Sequence, residues 1–229
     1  VWIGLDLVRV FALTGDRAAL DRAEQVFDFI VSGWDTDPTH PAPGGVFWTD
    51  ADWSRERGTV STGFGALLGF RIFEMTGDPR LLEWAWKMYS WTNEYMLGPN
   101  GLYWDHIELD GTIDSWENSY NQGAMIAASL ALARITGEAG YRTWAVRIAN
   151  RSLDAFGNFD MPGAIFPYTN AIFFDHLMEL ESLTCDPRYR ETMQQYADRL
   201  WEIAGDDPDR LLRSTPDEPA SMIDQAALT

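Results

Sequence analysis

Carboxylates, amides and aromatic rings crowd one stretch of the chain, GLYWDHIELDGTIDSWENSYNQG, which runs from Gly101 to Gly123. Tyr103, Trp104, Asp105, Trp116, Glu117, Tyr120, Asn121 and Gln122 all fall within it. Its Gly, Asn and Asp punctuation nevertheless marks a loop, and loops are built mainly from small polar residues. Such groups have a chemistry in common. Carboxylates exchange protons, amides and phenols bond to hydroxyls, and ring faces hold flat apolar surfaces. The segment GWDTDPTHPAPGGVFWTDADWSRERG, Gly33 to Gly58, repeats the mixture with Trp34, Phe47, Trp48, Asp50, Asp52 and Trp53. The candidates for a binding site are therefore Trp48, Asp50, Trp53, Trp104, Asp105, Tyr120, Asn121 and Gln122. Each has a structural alternative. The rings could simply pack the loops, and among 35 acidic residues any of Asp50, Asp52, Asp105, Asp114 and Glu117 can equally be surface charge.

Other chemistries find less support. His40, His106 and His176 are scattered without the spacing of a zinc set, and DTDPTH has only two acidic positions of a calcium loop and lacks its central glycine. GFGALLG misses the dinucleotide fingerprint by one residue. Neither a metal nor a cofactor is expected. A net charge of -18 disfavours nucleic acid and anionic membrane as partners and suits a neutral ligand. No apolar run is long enough to insert in a membrane. The lone Cys185 forms no internal disulfide, which fits a reducing compartment without excluding secretion, so localisation stays open.

The elements that must position these loops follow a repeat. Thr14-Gly15-Asp16, Thr76-Gly77-Asp78, Thr136-Gly137-Glu138 and Thr184-Cys185-Asp186 recur at spacings of 62, 60 and 48 residues. Before each Thr an apolar stripe runs through Val10 and Leu13, Ile72 and Met75, Leu132 and Ile135, or Leu180 and Leu183. After it, Ala19, Ala23 and Val26 correspond to Leu81, Ala85 and Met88, to Tyr141, Ala145 and Ile148, and to Tyr189, Met193 and Tyr196. These offsets share one helical face. Each unit reads as a helical hairpin with a left-handed glycine at its turn, and Cys185 predicts a different backbone at the fourth.

Short turns at one end place the long links at the other: Gly33–Gly58, Gly101–Gly123 and FGNFDMPGAIFPYTN, with a short β-hairpin expected around Gly101–Thr112. The expected fold is all-α, a toroid of helical hairpins in one domain spanning 1–229. Six hairpins would need roughly 350 residues at this period, so the chain reads as incomplete at both ends, through Val1 and through EPASMIDQAALT. Fifteen and fourteen residues before the turn Thr stand Ser61-Thr62, Asn121-Gln122 and Thr169-Asn170, all polar; the same register in the first repeat falls immediately before Val1.

YNQGAMIAASLALARITGEAGY and WIGLDLVRVFALTGD, together with GGVFWTD and GLYWD, resemble glycoside hydrolase family 76, the bacterial and fungal endo-α-1,6-mannanases. The resemblance implies an (α/α)6 barrel that hydrolyses α-1,6-mannosidic bonds with retention through two adjacent aspartates. That pair is expected just upstream of Val1-Trp2-Ile3-Gly4, so no catalytic residue is assigned within the chain, and Asp206-Asp207 is read as a solvated helix cap. On this reading Trp48, Trp53, Trp104 and Tyr120 stack on sugars, and the partner is an oligo- or polysaccharide. Two rivals are a sugar epimerase, which needs paired ring-facing histidines, and a non-catalytic carbohydrate-binding repeat protein.

Overall fold

The structure, a computed structural model, describes residues 1–156, 167–206 and Met222. Eight helices form among them: α1 (Trp2–Thr14), α2 (Arg17–Ser32), α3 (Thr59–Thr76), α4 (Pro79–Tyr95), α5 (Ser119–Thr136), α6 (Ala139–Phe156), α7 (Pro167–Thr184) and α8 (Pro187–Asp206). They pair as four hairpins. The odd-numbered helices pack on one another, α3 between α1 and α5 and α5 against α7, while α2, α4, α6 and α8 each back their own partner. This is the inner and outer layering of an α/α toroid. It explains why α3 and α5 carry almost no apolar periodicity: every residue from Thr59 to Phe70 is buried, and so is nearly all of Ser119–Leu132.

The Thr of each turn has a role beyond spacing. Its hydroxyl caps its own helix, bonding to the carbonyl of Val10, Ile72, Leu132 or Leu180 at 2.7–3.0 Å. In the first three turns the same oxygen accepts the N–H of Asp16, Asp78 or Glu138. Asp16, Asp78 and Asp186 then cap the outgoing helix through the N–H of Ala18, Arg80 and Arg188. Gly15, Gly77 and Gly137 are left-handed, with φ of 72°, 70° and 74°. Cys185 adopts the same conformation at φ 54° and donates the same backbone bond, to Glu181 O at 2.8 Å, so the expectation of a different fourth turn is wrong. The hairpin geometry holds a side chain where glycine is easier.

The outgoing stripe packs as its spacing predicts: Ala23, Ala85, Ala145, Met88 and Ile148 are buried. The incoming stripe does so only in part, because Val10 and, one residue before three of the four Thr, Leu13, Met75 and Leu183 are exposed toward the short-turn end. Close approach of inner to neighbouring helices rests on glycine. A Cβ on Gly123 would lie 3.0 Å from the Phe173 backbone of α7, and one on Gly69 of the GFGALLG segment 2.6 Å from the Phe27 ring of α2. At the short-turn end ion pairs tie the inner layer together: Arg9 to Asp175, Arg71 to Glu179 at 2.6 Å, and Arg134 to Glu74 and Glu179 at 2.6 and 2.9 Å.

The long links carry a small antiparallel sheet, β1 (Arg57–Gly58), β2 (His106–Ile107) and β3 (Ile113–Asp114), in that order. The expected hairpin therefore exists but is displaced toward the C-terminus. Its turn bonds Glu108 to Thr112 and Gly111, at φ 91°, while Gly98 to Leu102 forms a separate tight turn closed by a Leu97–Tyr103 bridge. The link after α6 lies for the most part outside the described residues, as do Asp207 and, apart from exposed Met222, the segment EPASMIDQAALT.

Candidate functional site

Polar residues at the mouths of α3 and α5 clamp the long links. Gln122 accepts the N–H of Tyr103 at 2.8 Å and donates to its C=O at 2.8 Å, spending its other donor on Asn118 O at 3.1 Å. One hairpin earlier, Ser61 donates to Val46 O at 2.6 Å, and Thr62 accepts Val46 N–H at 2.9 Å. Two different residue sets thus perform the same operation. Each inner helix grips both backbone groups of one loop residue, and the aromatic residues that follow, Phe47-Trp48 and Trp104, take their positions from it. Ser119 and Asn170 join α5 to α7 at 2.6 Å, and Asn170 reaches the Tyr196 hydroxyl at 3.1 Å.

Asp105 is the carboxylate these elements hold most firmly. Its Oδ1 accepts from Asn118 Nδ2 at 2.7 Å and Asn121 Nδ2 at 3.2 Å, and its Oδ2 faces His106 Nδ1 at 2.9 Å. Its backbone is pinned as well, by Thr59 N–H at 2.8 Å and Asp114 O at 3.1 Å. Burial opposes charge on His106, but Asp105, Asp114 and Glu108 together lift its pKa above the ordinary value. Burial and then the Asp105 charge push the Tyr120 phenol up. Asn121 is fully buried, and its Oδ1 has no hydrogen-bond partner among the described residues.

Arg57 anchors the first loop to the second. It is fully buried and donates to Asp35 Oδ2 at 3.0 Å, Ala42 O at 2.9 Å, Pro41 O at 3.0 Å and Glu108 O at 3.0 Å. Asp35 also meets His40 Nδ1 at 2.8 Å. The acidic residue that opens DTDPTH is thus half of a buried ion pair. Gly44 and Gly45, both at positive φ, let the loop lie against Trp91, where a Cβ on Gly45 would stand 2.5 Å from the indole. Between this loop and the start of α1 opens a cavity of about 540 Å³, lined by Val1, Trp34, Trp48, Asp50, Arg55 and Ser61 among others.

The eight sequence candidates therefore separate. Trp48, 53% exposed, and Asp50 line the cavity. Half-buried Trp104 and Tyr120 share the mouth of α5 with Asp105 and Asn121, and Trp104 packs over Gly98. Trp53 stands apart at 84% exposure. Gln122 is fully buried and gives both its donors to backbone carbonyls, so in this structure it positions the loop. Sequence reasoning passed over Arg57 and Asn118. A hint lay in Arg57 itself, a cation just before the buried run of α3, but its partners lie 13 to 51 residues away in sequence.

The fold is an α/α toroid whose loop carboxylates and aromatic rings gather at the end opposite the short turns. The chain belongs to Glycosyl hydrolase family 76, whose family model matches residues 2–165. It is 30% identical over 139 residues to the mannan endo-1,6-α-mannosidase of Saccharomyces cerevisiae, a match covering 57% of this chain and 30% of that protein. The corresponding protein of Candida albicans is 25% identical over 151 residues, 62% of this chain and 33% of its own. The chain thus matches about a third of the length of these curated relatives. Among solved structures, a family 76 glycoside hydrolase (mannosidase) from Bacteroides thetaiotaomicron superposes with a TM-score of 0.83 at 23% identity, covering 99% of this chain and 66% of that one. An inactive α-1,6-mannanase variant from Salegentibacter, with two consecutive aspartates replaced and in complex with α-1,6-mannotetraose, gives 0.78 at 23%, covering 99% and 71%.

Proposed function

We propose that the whole protein is a retaining glycosidase of α-1,6-linked mannan, and that the long-loop end of the toroid binds the polysaccharide. The observation that carries this reading within the family is the mouth of α5, where a clamped loop holds Asp105 under three side chains beside the half-exposed faces of Trp104 and Tyr120. A carboxylate so held accepts sugar hydroxyls, and the rings offer faces to the apolar side of a pyranose. Trp48 and Asp50 would extend the same surface along the cavity, with Trp53 at its outer edge. Asn121 acts through Asp105.

Retaining hydrolysis needs one carboxyl to protonate the leaving oxygen and a second, about 5–5.5 Å away, to attack the anomeric carbon. On this reading that pair belongs just upstream of Val1, as the family resemblance implies, in the repeat register of Ser61-Thr62 and Asn121-Gln122. Val1 lines the 540 Å³ cavity with Trp48 and Asp50, which supports a site at that end of α1. The rest of a six-hairpin ring would complete the cleft. The epimerase reading gains no support from the histidines: His40 and His106 lie in the links, leaving His176 alone on an inner helix.

The test compares the 229-residue chain with one extended by the natural residues before Val1, on α-1,6-mannan and on an epimerase panel. Reducing-end release by the extended chain, abolished when the two preceding aspartates become asparagine, is expected. Equal hydrolysis by both chains would overturn the site assignment, and inactivity of the extended chain on every α-glycan would leave a binding protein.

A further inference from the structure

Outer helices of a toroid leave gaps between neighbouring hairpins, and the two such gaps flanking α4 are finished differently. Between α2 and α4, Lys87 lies over both Trp34 and Trp84, at 4.7 and 4.4 Å from the ring centroids, and the two indoles meet edge to face at 5.9 Å. That gap is sealed by a cation on two rings. Between α4 and α6 a cation covers a single ring, Arg147 lying 5.3 Å from the centroid of Trp144, and an open groove of about 390 Å³ remains. Its wall is aromatic, with Tyr89 and Tyr141 lining it, and Trp86, 43% exposed, borders it at 6.0 Å from Tyr89 and 6.2 Å from Tyr141, perpendicular to the second ring at 89°. Half-buried Trp144 continues the wall, and Asn93 and Glu138 supply an amide and a carboxylate along it.

Rings set at right angles, with an amide and a carboxylate beside them, complement a molecule that is apolar on its faces and hydroxylated at its rim. A chain of net charge -18 adds no preference for an anionic ligand. The floor of the groove is bonded to the site loop. Trp144 Nε1 donates to the Tyr103 hydroxyl at 3.1 Å, which donates to Asn93 Oδ1 at 2.7 Å, and Asn93 Nδ2 returns to Tyr89 O at 2.8 Å. Tyr103 is the residue gripped by Gln122, immediately before Trp104 and Asp105.

We infer that the groove between α4 and α6 is an accessory binding site for a neutral hexopyranose chain, a second point of attachment for the same polymer that occupies the mouth of the toroid. This rests on the mannan reading for the identity of the sugar but not for the existence of the groove. Two weak sites on one polymer raise retention beyond either alone. Contact at Trp144 or Asn93 would also stiffen the Tyr103 anchor of the site loop.

The experiment is affinity electrophoresis in gels containing α-1,6-mannan or dextran, with the native chain, Trp86→Ala, Trp104→Ala and the double variant. Indole N–H resonances are followed in parallel as α-1,6-mannotriose or isomaltotriose is added. Trp86→Ala is expected to weaken retention about three- to tenfold, the loss of one ring face, with melting within about 2 °C of native. The Trp144 indole N–H is expected to shift even in the Trp104→Ala background. Native retention of Trp86→Ala together with an unmoved Trp144 resonance at about 50 mM of either sugar, the weakest binding worth detecting, would overturn the groove while leaving the mannan reading intact. Trp86-dependent retention on dextran but not mannan would keep the groove and overturn the mannan reading.

Discussion

Replacing Gln122 by Ala tests whether the clamp, more than the loop's own sequence, holds Trp104 and Asp105 in place. The side chain makes three hydrogen bonds, two of them to the N–H and C=O of Tyr103 at 2.8 Å, and Tyr103 is fully buried. Truncation leaves two buried backbone groups without partners, at about 1–3 kcal/mol each, and water entering the vacated space recovers part of this. A net loss of roughly 3 kcal/mol follows, against a total stability on the order of 5–15 kcal/mol. For a chain of this size that lowers Tm by about 6–12 °C. Gln122→Glu sharpens the test: it keeps the shape and the acceptor for Tyr103 N–H but turns a carboxylate oxygen toward the carbonyls of Tyr103 and Asn118, so it should destabilise at least as much at neutral pH. Both variants are read by calorimetry and by the near-ultraviolet dichroism of the loop aromatics. Melting of Gln122→Ala within 2 °C of native, a threshold of about 1 kcal/mol, would refute the clamp.

Three further outcomes follow. Asn121→Ala removes one 3.2 Å bond to Asp105 and an oxygen that has no partner among the described residues, so manno-oligosaccharide affinity should fall severalfold with Tm nearly unchanged; a loss of several degrees with intact binding would make it a structural cap. Burial lowers the His176 pKa to about 4, with Arg71 and Arg9 opposing the raising effect of Asp175 and Glu179. The unfolded chain then binds the proton first as pH falls below about 6.5, and stability drops by roughly 3 kcal/mol between there and pH 4; denaturant melts of His176→Phe should lack that part of the slope. Cys185→Gly relieves a left-handed side chain at φ 54° and should raise stability by about 0.5 kcal/mol, whereas a lower Tm would show that the turn carries no strain.

The hairpins were legible in the sequence because their signals are local. Thr14, Thr76, Thr136 and Thr184 close turns within a few residues, and helical periodicity marks a face without reference to any partner. Placing the long links at one end followed from topology alone. The aromatic and acidic composition of those links marked the candidate surface, and Trp48, Asp50, Trp104 and Asp105 were singled out from it. What no local rule supplied was the division of labour among neighbouring polar residues. Asn121 and Gln122 are adjacent amides, yet one points at Asp105 and the other at the Tyr103 backbone, because successive residues on a helix face directions about 100° apart and only the packed loop decides what lies there. Arg57 gives the same lesson: a cation can be fully buried only when several acceptors converge, and Asp35, Pro41, Ala42 and Glu108 do so only once two links have folded over one another. Sequence determined the helices, their turns and the end on which chemistry could gather; tertiary structure alone decided which of the polar groups there remain available, since hydrogen bonds between distant segments spend them first.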